Sequence, residues 1–177
     1  MIDLKELVRQ AKKQLPPNEL ADFCGDYYEP YYHFMYLAGR LVSGHLVELG
    51  CEKGRGLLAM ALTGKDVIGF DLNRPPDLDL SQYPNIHFFK ASSLPVHPFM
   101  AGKQIGLLHI DTEHTYTQAK NEFNAYTPYL AKPSIIILDD LYARENDVLR
   151  FFEELPFDKI HDDELHPGCG WGAVLYE

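Results

Sequence analysis

The chain has 177 residues, a length that suits one domain with a single sizeable core. Its formal net charge is −10, from 26 acidic and 16 basic residues, and no run of Lys or Arg is longer than Lys12-Lys13. Such a chain repels phosphate backbones and anionic membrane surfaces. The composition therefore argues against nucleic acid and membranes as partners, and it favours a small neutral or cationic molecule.

The cysteines and the N-terminus indicate a cytoplasmic protein. The three cysteines, which are Cys24, Cys51 and Cys169, lack the paired spacing of a zinc site or a disulfide framework. The first 15 residues are rich in charge and contain no apolar run as long as a signal peptide or a membrane span. A reducing, cytoplasmic location is the expectation.

Residues 1–44 are expected to form an N-terminal helical extension packed on the core. Apolar residues at helical spacing predict one amphipathic helix over 2–15, which ends at Pro16-Pro17, and a second over 26–42. The second helix carries an unusual number of tyrosines: Tyr27, Tyr28, Tyr31, Tyr32 and Tyr36. They could line an acceptor pocket, cover a sulfonium through cation–π contacts, form a homodimer face or simply pack in the core.

From His45 onward, short apolar runs alternate with helical stretches, which is typical of βαβ units and a buried parallel sheet. Strands are predicted near 45–50, 66–72, 86–90, 105–111, 134–139, 157–162 and 171–176. Helices are predicted over 54–63, 114–131 and 145–154, and the proline-containing intervals 74–84 and 92–103 are predicted to be loops or single turns. The prediction is one α/β domain over 1–177, whose core over 45–177 is a Rossmann-like seven-stranded sheet with helices on both faces.

The first of these strands runs into a turn with glycines, and a helix follows. Gly50 and Gly54 lack a Cβ, so the backbone can turn sharply and approach a ligand. The second strand ends at Asp71, where a carboxylate can accept both hydroxyls of a ribose. A dinucleotide site needs Gly-x-Gly-x-x-Gly, whereas the glycines here stand at 50, 54 and 56, which argues against an NAD-linked oxidoreductase.

The run Val47-Glu48-Leu49-Gly50-Cys51-Glu52-Lys53-Gly54-Arg55-Gly56, followed by Gly69-Phe70-Asp71, resembles motif I and the next acid of class I S-adenosylmethionine-dependent methyltransferases. The resemblance implies that Glu48, Gly50 and Gly54 surround the methionine part of S-adenosylmethionine and that Asp71 binds its ribose. The glycine spacing is similar to the branch of macrocin O-methyltransferase and cephalosporin-hydroxylase-like proteins. In the loop after the third strand, Ser92 or Ser93 could bind the adenine, and plain turn residues are the alternative.

Acidic side chains follow the fourth and fifth predicted strands. Asp111, Glu113 and His114 follow the fourth, and Asp139-Asp140 follow the fifth. These strand ends lie side by side at the ligand edge of such a sheet, and clustered carboxylates repel one another unless a cation is bound. Oxygen ligands with no cysteine nearby favour Mg²⁺. The alternative is that Asp111 and Asp139 only cap helices and that His114 is solvated.

The segment Asp111–Tyr116 resembles the Asp-Gly-x-His-x-Tyr stretch of the same branch, with Thr112 in the glycine position, and Asp139-Asp140 resembles its metal-binding acids. The resemblance implies that Asp111, Asp139 and Asp140 bind a metal and that His114 or Glu113 deprotonates the acceptor. Residues 156–177 are predicted to form a hairpin whose antiparallel last strand is typical of this fold. The chain is therefore expected to be a metal-assisted O-methyltransferase for a small hydroxylated molecule. A non-catalytic S-adenosylmethionine-binding or interaction protein of the same fold is the alternative.

Overall fold

The computed structural model describes residues 2–27, 29–73 and 77–177. Within them, seven strands form one sheet, and six α-helices pack against it. The strands are β1 His45–Leu49, β2 Val67–Asp71, β3 Ile86–Lys90, β4 Ile105–Ile110, β5 Leu130–Asp139, β6 Asp158–His161 and β7 Trp171–Tyr176. The helices are α1 Leu4–Lys13, α2 Asn18–Cys24, α3 Pro30–Leu41, α4 Arg55–Ala61, α5 Tyr116–Tyr126 and α6 Asp147–Glu154.

The strand order is β3-β2-β1-β4-β5-β7-β6. Strand β1 pairs in parallel with β2 and β4, β5 pairs in parallel with β4, and β7 is antiparallel to both β5 and β6. The predicted Rossmann-like seven-stranded fold and its antiparallel last strand are confirmed. Because the order reverses between β1 and β4, a crevice opens there at the carboxyl ends of the strands, which is where such sheets bind ligands.

Alternate residues of the central strands face opposite helical layers, as strand geometry requires. On one face, Leu46, Leu107, Ile135 and Ile137 pack in a core with α1 to α4. On the other face, Val47, Leu108, Ile136 and Leu138 pack with α5 and α6. The central strands are therefore buried on both sides, which explains why most of their residues are apolar.

The N-terminal segment differs from the prediction. The helix expected over 26–42 begins at Pro30, after a 3-10 turn at Gly25–Tyr27, because Pro30 suits the first turn of a helix. Helix α2 was not predicted: it is only seven residues long and buries two of them, so it has little periodicity to detect. Tyr28 of the predicted helix, and Pro75 and Pro76 of the predicted loop, lie outside the described residues.

Strand β5 starts four residues before the predicted 134, at Leu130. Proline removes a donor from the hydrogen-bonded ladder of a strand, and Pro133 lies directly before the predicted start. The structure instead contains an irregularity in which Ile105 pairs with Leu130 and Leu107 pairs with Ile135. The exposed side chains of Lys132 and Pro133 lie in this bulge, so the strand passes through it.

The predicted helices are shorter in the structure. The helix expected over 114–131 spans Tyr116–Tyr126 and is followed by a 3-10 turn at Thr127–Tyr129. Its start is fixed by Thr115, whose side chain accepts a hydrogen bond from the Gln118 amide. No helix in the described part of the chain combines the length and the apolar character needed to cross a membrane.

Candidate active site

A cavity of about 860 Å³ opens at the carboxyl edge of the sheet. It is lined by the segment before α3, by residues at or after the ends of β1, β2, β4 and β5, and by the connection between β6 and β7. Among the described lining residues, nine are Asp or Glu, and Arg55 is the only Lys or Arg. The cavity is therefore strongly acidic, more so than the chain as a whole.

The turn between β1 and α4 is held by close backbone contacts. Gly50 has φ +84°, and a Cβ added there would lie 1.7 Å from the carbonyl oxygen of Asp111. The Gly50 amide donates to the Phe70 carbonyl at 2.8 Å. Gly54 adopts the left-handed conformation, with φ +87°, at the start of α4. Glycine at position 50 thus lets the turn pack directly against the end of β4.

Asp71 lies at the end of β2, facing this turn. Its Oδ2 accepts from the amides of Cys51 at 2.9 Å and Glu52 at 3.0 Å, and its Oδ1 accepts from the Asn73 amide at 2.8 Å. Both Asp71 and Gly50 line the cavity, whereas Glu48 and Gly54 are not among its lining residues. The predicted ribose-binding acid therefore lies where the glycine turn meets the cavity.

Ser92 and Ser93 also line the cavity. The Ser92 hydroxyl accepts from the amide two residues on, as in an ordinary turn. The Ser93 hydroxyl donates to Glu122 Oε1 at 2.5 Å, while Thr112 donates to Oε2 at 2.9 Å and Gln118 to Oε1 at 2.9 Å. Burial raises the pKa of Glu122, although these hydrogen bonds oppose the shift. Sequence analysis missed Glu122; an acid next to apolar helix positions was the available signal.

The predicted metal-binding and catalytic residues converge at the ends of β4 and β5, where Asp111, Glu113, His114, Asp139 and Asp140 all line the cavity. His114 lies between two of the acids, with Nε2 3.0 Å from Asp111 Oδ1 and Nδ1 2.5 Å from Asp140 Oδ2. Hydrogen bonds to Asp111 and Asp140 raise the pKa of His114 to about 10, so the imidazole is a cation at neutral pH. In this arrangement His114 donates protons and does not accept them.

The three predicted metal ligands divide into two groups. Ligand atoms of Asp111 and Asp139 lie within 4.8 Å of one another and of a His109 nitrogen, while Asp140 is grouped in the same way with His166 and Cys169. The expectation that no cysteine lies nearby is wrong, because the β6–β7 connection folds Cys169 against the end of β5. Burial, followed by repulsion from Asp139, raises the pKa of Asp111, as expected where a compensating cation would bind.

Glu48 and His109 form a buried pair beneath the cavity. The His109 Nδ1 lies 2.9 Å from Glu48 Oε1. Burial raises the pKa of Glu48 to about 7. Burial alone would lower the pKa of His109, but the hydrogen bond to Glu48 raises it. Within the described part of the chain, neither Glu48 Oε2 nor His109 Nε2 has a hydrogen-bond partner. Glu48 was predicted to lie around the methionine part of S-adenosylmethionine. In the structure its side chain pairs with His109 and does not line the cavity.

A second buried network ties the N-terminal segment to the cavity. His166 contacts Glu29 through Nδ1 and lies 3.2 Å from Asp139 Oδ1 through Nε2. Burial would lower the pKa of His166, but Asp139 and Glu29 raise it to about 10. The Tyr31 hydroxyl donates to Asp139 Oδ2 at 3.2 Å, and its ring stacks on His166 at 4.7 Å. The sequence contains no local signal for this network, since its members are far apart in the chain.

The comparisons with known proteins agree with this architecture. A family described as a methyltransferase domain matches residues 47–141, which is more than half of the chain. No curated protein sequence matches the chain significantly.

Several solved methyltransferase structures share the fold. The O-methyltransferase TomG from Streptomyces achromogenes, in complex with S-adenosylmethionine, has a TM-score of 0.70 at 12% identity over 100% of both chains. A methyltransferase from Geobacter sulfurreducens has a TM-score of 0.67 at 15% identity, over 98% of this chain and 97% of that one. An O-methyltransferase from Bacillus cereus, in complex with S-adenosylhomocysteine, has a TM-score of 0.61 at 12% identity, over 100% of this chain and 92% of that one.

At these identities the structural likeness concerns the fold, and the matched family supplies the class. The matched residues include the glycine turn, Asp71 and the acids that follow β4 and β5. The prediction of a class I S-adenosylmethionine-dependent methyltransferase is confirmed, and the chain belongs to the methyltransferase-domain family.

Proposed function

We propose that this protein transfers the methyl group of S-adenosylmethionine to a hydroxyl group of a small molecule, with the assistance of a divalent metal ion. One observation carries the proposal: a single cavity is lined on one side by Gly50 and Asp71 and on the other by Asp111, Asp139 and Asp140. A donor held by the first group would lie next to an acceptor held at the second. Such proximity and orientation are the main requirements of a methyl transfer.

The donor side suits a nucleoside with an amino-acid tail. We assign the methionine part to the turn from Gly50 to Gly54 and the ribose hydroxyls to Asp71. The adenine would lie near Ser92 and Ser93, which line the same cavity. TomG, which has the same fold, was crystallised with S-adenosylmethionine, and this supports the assignment.

The acceptor side suits a metal ion and a hydroxyl group. We assign the ion to the region after β4 and β5, where Asp111, Asp139 and Asp140 are the candidate carboxylate ligands. A bound divalent cation supplies positive charge that stabilises a deprotonated hydroxyl. Glu113 and His114 are the proposed proton acceptors. His114 can take up a proton only when its imidazole is neutral, which requires that its pairing with Asp111 and Asp140 be loosened.

Calorimetry with S-adenosylhomocysteine tests the donor assignment. We expect the wild-type protein to bind it, and we expect Asp71→Asn to weaken binding by about 10- to 100-fold, because hydrogen bonds to the ribose are lost. Asp66→Asn is the matched control, since Asp66 lies just before the other end of β2 and is 59% exposed. No binding by the wild-type protein, or equal losses in the two variants, would contradict the assignment.

A second measurement separates an enzyme from a non-catalytic S-adenosylmethionine-binding protein. Incubation with labelled S-adenosylmethionine and a panel of small hydroxylated acceptors should yield labelled product in the presence of divalent metal. Donor binding without product on any acceptor would favour the non-catalytic alternative. Product formation that is unchanged by a chelator would remove the metal from the proposal.

A further inference from the structure

We propose that His109, Asp111 and Asp139 form the metal site, with Glu48 as the carboxylate that holds His109 in position. The inference rests on the proposed function, since it names the ligands of the same site. It replaces the carboxylate of Asp140 with an imidazole nitrogen. A ligand set with one nitrogen and two carboxylates favours Mn²⁺, Fe²⁺ or Zn²⁺ over Mg²⁺, which prefers oxygen ligands.

The sheet register brings these residues together. Glu48 of β1 stands opposite His109 of β4, and His109 stands opposite Ile137 of β5. Asp111 and Asp139 each follow two residues later, and side chains two apart on a strand lie on the same face. All four functional side chains therefore project from the face of the sheet that α3 covers.

The His109 ring lies close to the two acids. Its side chain is fully buried, and its Nδ1 is taken by Glu48 Oε1 at 2.9 Å. Its Nε2 has no hydrogen-bond partner among the residues that the structure describes, and a nitrogen of this ring lies within 4.8 Å of ligand oxygens of Asp111 and Asp139. A buried nitrogen without a hydrogen-bond partner destabilises the folded state. Coordination of a cation would satisfy it.

Gly56 of α4 leaves space for the Glu48 carboxylate, which holds His109 in position. A Cβ added at Gly56 would lie 1.8 Å from Glu48 Oε1, so a larger residue at this position of α4 would displace the Glu48 carboxylate from where it lies. Histidines that bind metals usually donate their other ring N–H to a carboxylate or a carbonyl, which fixes the ring and the tautomer. Glu48 stands in that position relative to His109.

The remaining contacts leave the ion a route and hold its ligands in place. Asp111 and Asp139 line the cavity, so an ion can reach them from solvent. The Tyr31 hydroxyl donates to Asp139 Oδ2 at 3.2 Å. Asp140, in contrast, is directed towards His114, His166 and Cys169.

Manganese binding to the purified protein, without donor or acceptor, tests the ligand set. We expect pulsed electron paramagnetic resonance of the Mn²⁺-loaded wild-type protein to show coupling to one histidine nitrogen, with a change of isotope pattern on ¹⁵N-histidine labelling. His109→Gln should abolish the coupling and weaken Mn²⁺ affinity, measured by calorimetry, by more than about 100-fold. Glu48→Gln should weaken it by about 10- to 100-fold. His161→Gln on β6 is the control and should leave both readouts unchanged.

Three results would overturn the proposal. They are absence of nitrogen coupling in the wild-type protein, persistence of the coupling in His109→Gln, and failure of both Mn²⁺ and Zn²⁺ to bind. If His109→Gln does not fold, the wild-type coupling and the affinity of Glu48→Gln decide the matter. Binding of S-adenosylhomocysteine that depends on Asp71, together with no metal binding, would overturn this inference and leave donor binding intact.

Discussion

Two regions of the cavity are built in different ways: the proposed donor side, around Gly50 and Asp71, and the proposed acceptor side, around Asp111 and Asp139, which is called the metal side below. On the donor side, the main contacts are made by backbone groups of one short stretch, such as the amides of Cys51 and Glu52 that donate to Asp71. On the metal side, the contacts join side chains from distant segments, such as His166 with Glu29 and Asp139. Substitutions on the donor side should therefore destabilise the protein mainly by straining the backbone. Substitutions on the metal side should destabilise it mainly by removing partners from buried charged groups.

The largest effect is expected for Gly50→Ala on the donor side. The new Cβ would lie 1.7 Å from the Asp111 carbonyl oxygen, so the turn and the end of β4 must separate. The positive φ of +84° adds strain. We expect the free energy of unfolding, measured by urea denaturation, to fall by about 4 kcal/mol or more.

Gly64→Ala separates the effect of the steric clash from the effect of the positive φ. Gly64 also has a positive φ, +80°, but a Cβ there would meet nothing within 4 Å. We expect a loss of only about 1–2 kcal/mol, which is the cost of the left-handed conformation for a residue with a side chain. Similar losses in the two variants would mean that close packing of the turn against β4 does not matter.

The same contrast explains what the sequence could predict. The glycine turn and Asp71 lie at the ends of two strands, and most residues of the strands are apolar, so local patterns sufficed for the donor side and for most of the sheet. The register that places His109 beside Glu48 is a property of the sheet. No spacing within the sequence encodes it, and His109 itself looked like one more residue of a buried strand.

The sequence could not predict the buried ion pairs, for a related reason. His166 lies in a loop next to acidic residues, where a solvated position is the natural expectation, yet it is only 9% exposed. Its neighbours Glu29 and Tyr31 belong to the N-terminal segment, whose path depends on packing against the sheet. Pairing between segments so far apart becomes visible only when the fold brings them together.

An intermediate effect is expected for Tyr31→Phe on the metal side. The variant removes a hydroxyl that donates to buried Asp139 at 3.2 Å, and a hydrogen bond to a buried charge is worth about 1.5–3 kcal/mol. We expect the free energy of unfolding to fall by about 2 kcal/mol. Thermal and urea denaturation should agree on the loss.

Tyr142→Phe is the matched control for this prediction. The Tyr142 hydroxyl donates to Asp163 at 2.6 Å, but that pair lies at the surface. We expect a loss below about 1 kcal/mol, because water replaces an exposed partner easily. If both variants lost the same free energy of unfolding, burial would not strengthen the Tyr31–Asp139 contact. Buried contacts on the metal side would then contribute no more to stability than contacts at the surface.

The smallest effect is expected at Glu122, a buried acid that accepts a hydrogen bond from Ser93 on the donor side of the cavity. Burial raises the pKa of Glu122 above its ordinary value of 4.5. The folded state then holds the proton more tightly than the unfolded state, so the contribution of this group to stability falls as pH rises from about 4.5 through the raised pKa. Glu122→Gln does not titrate, and we expect its free energy of unfolding to improve relative to wild type between pH 4.5 and neutral pH.

Glu154→Gln should show the opposite trend in the same urea titrations. Glu154 is exposed, and the hydrogen bond from Tyr116 lowers its pKa, so the wild-type side chain contributes stability that is lost as pH falls. The free energy of unfolding of the variant should therefore fall relative to that of the wild-type protein as pH rises. If Glu122→Gln followed this second pattern, the hydrogen bonds from Ser93, Thr112 and Gln118 would outweigh burial. Glu122 would then be an ionised side chain that holds the loop after β3 through Ser93, and both sides of the cavity would contain buried charge.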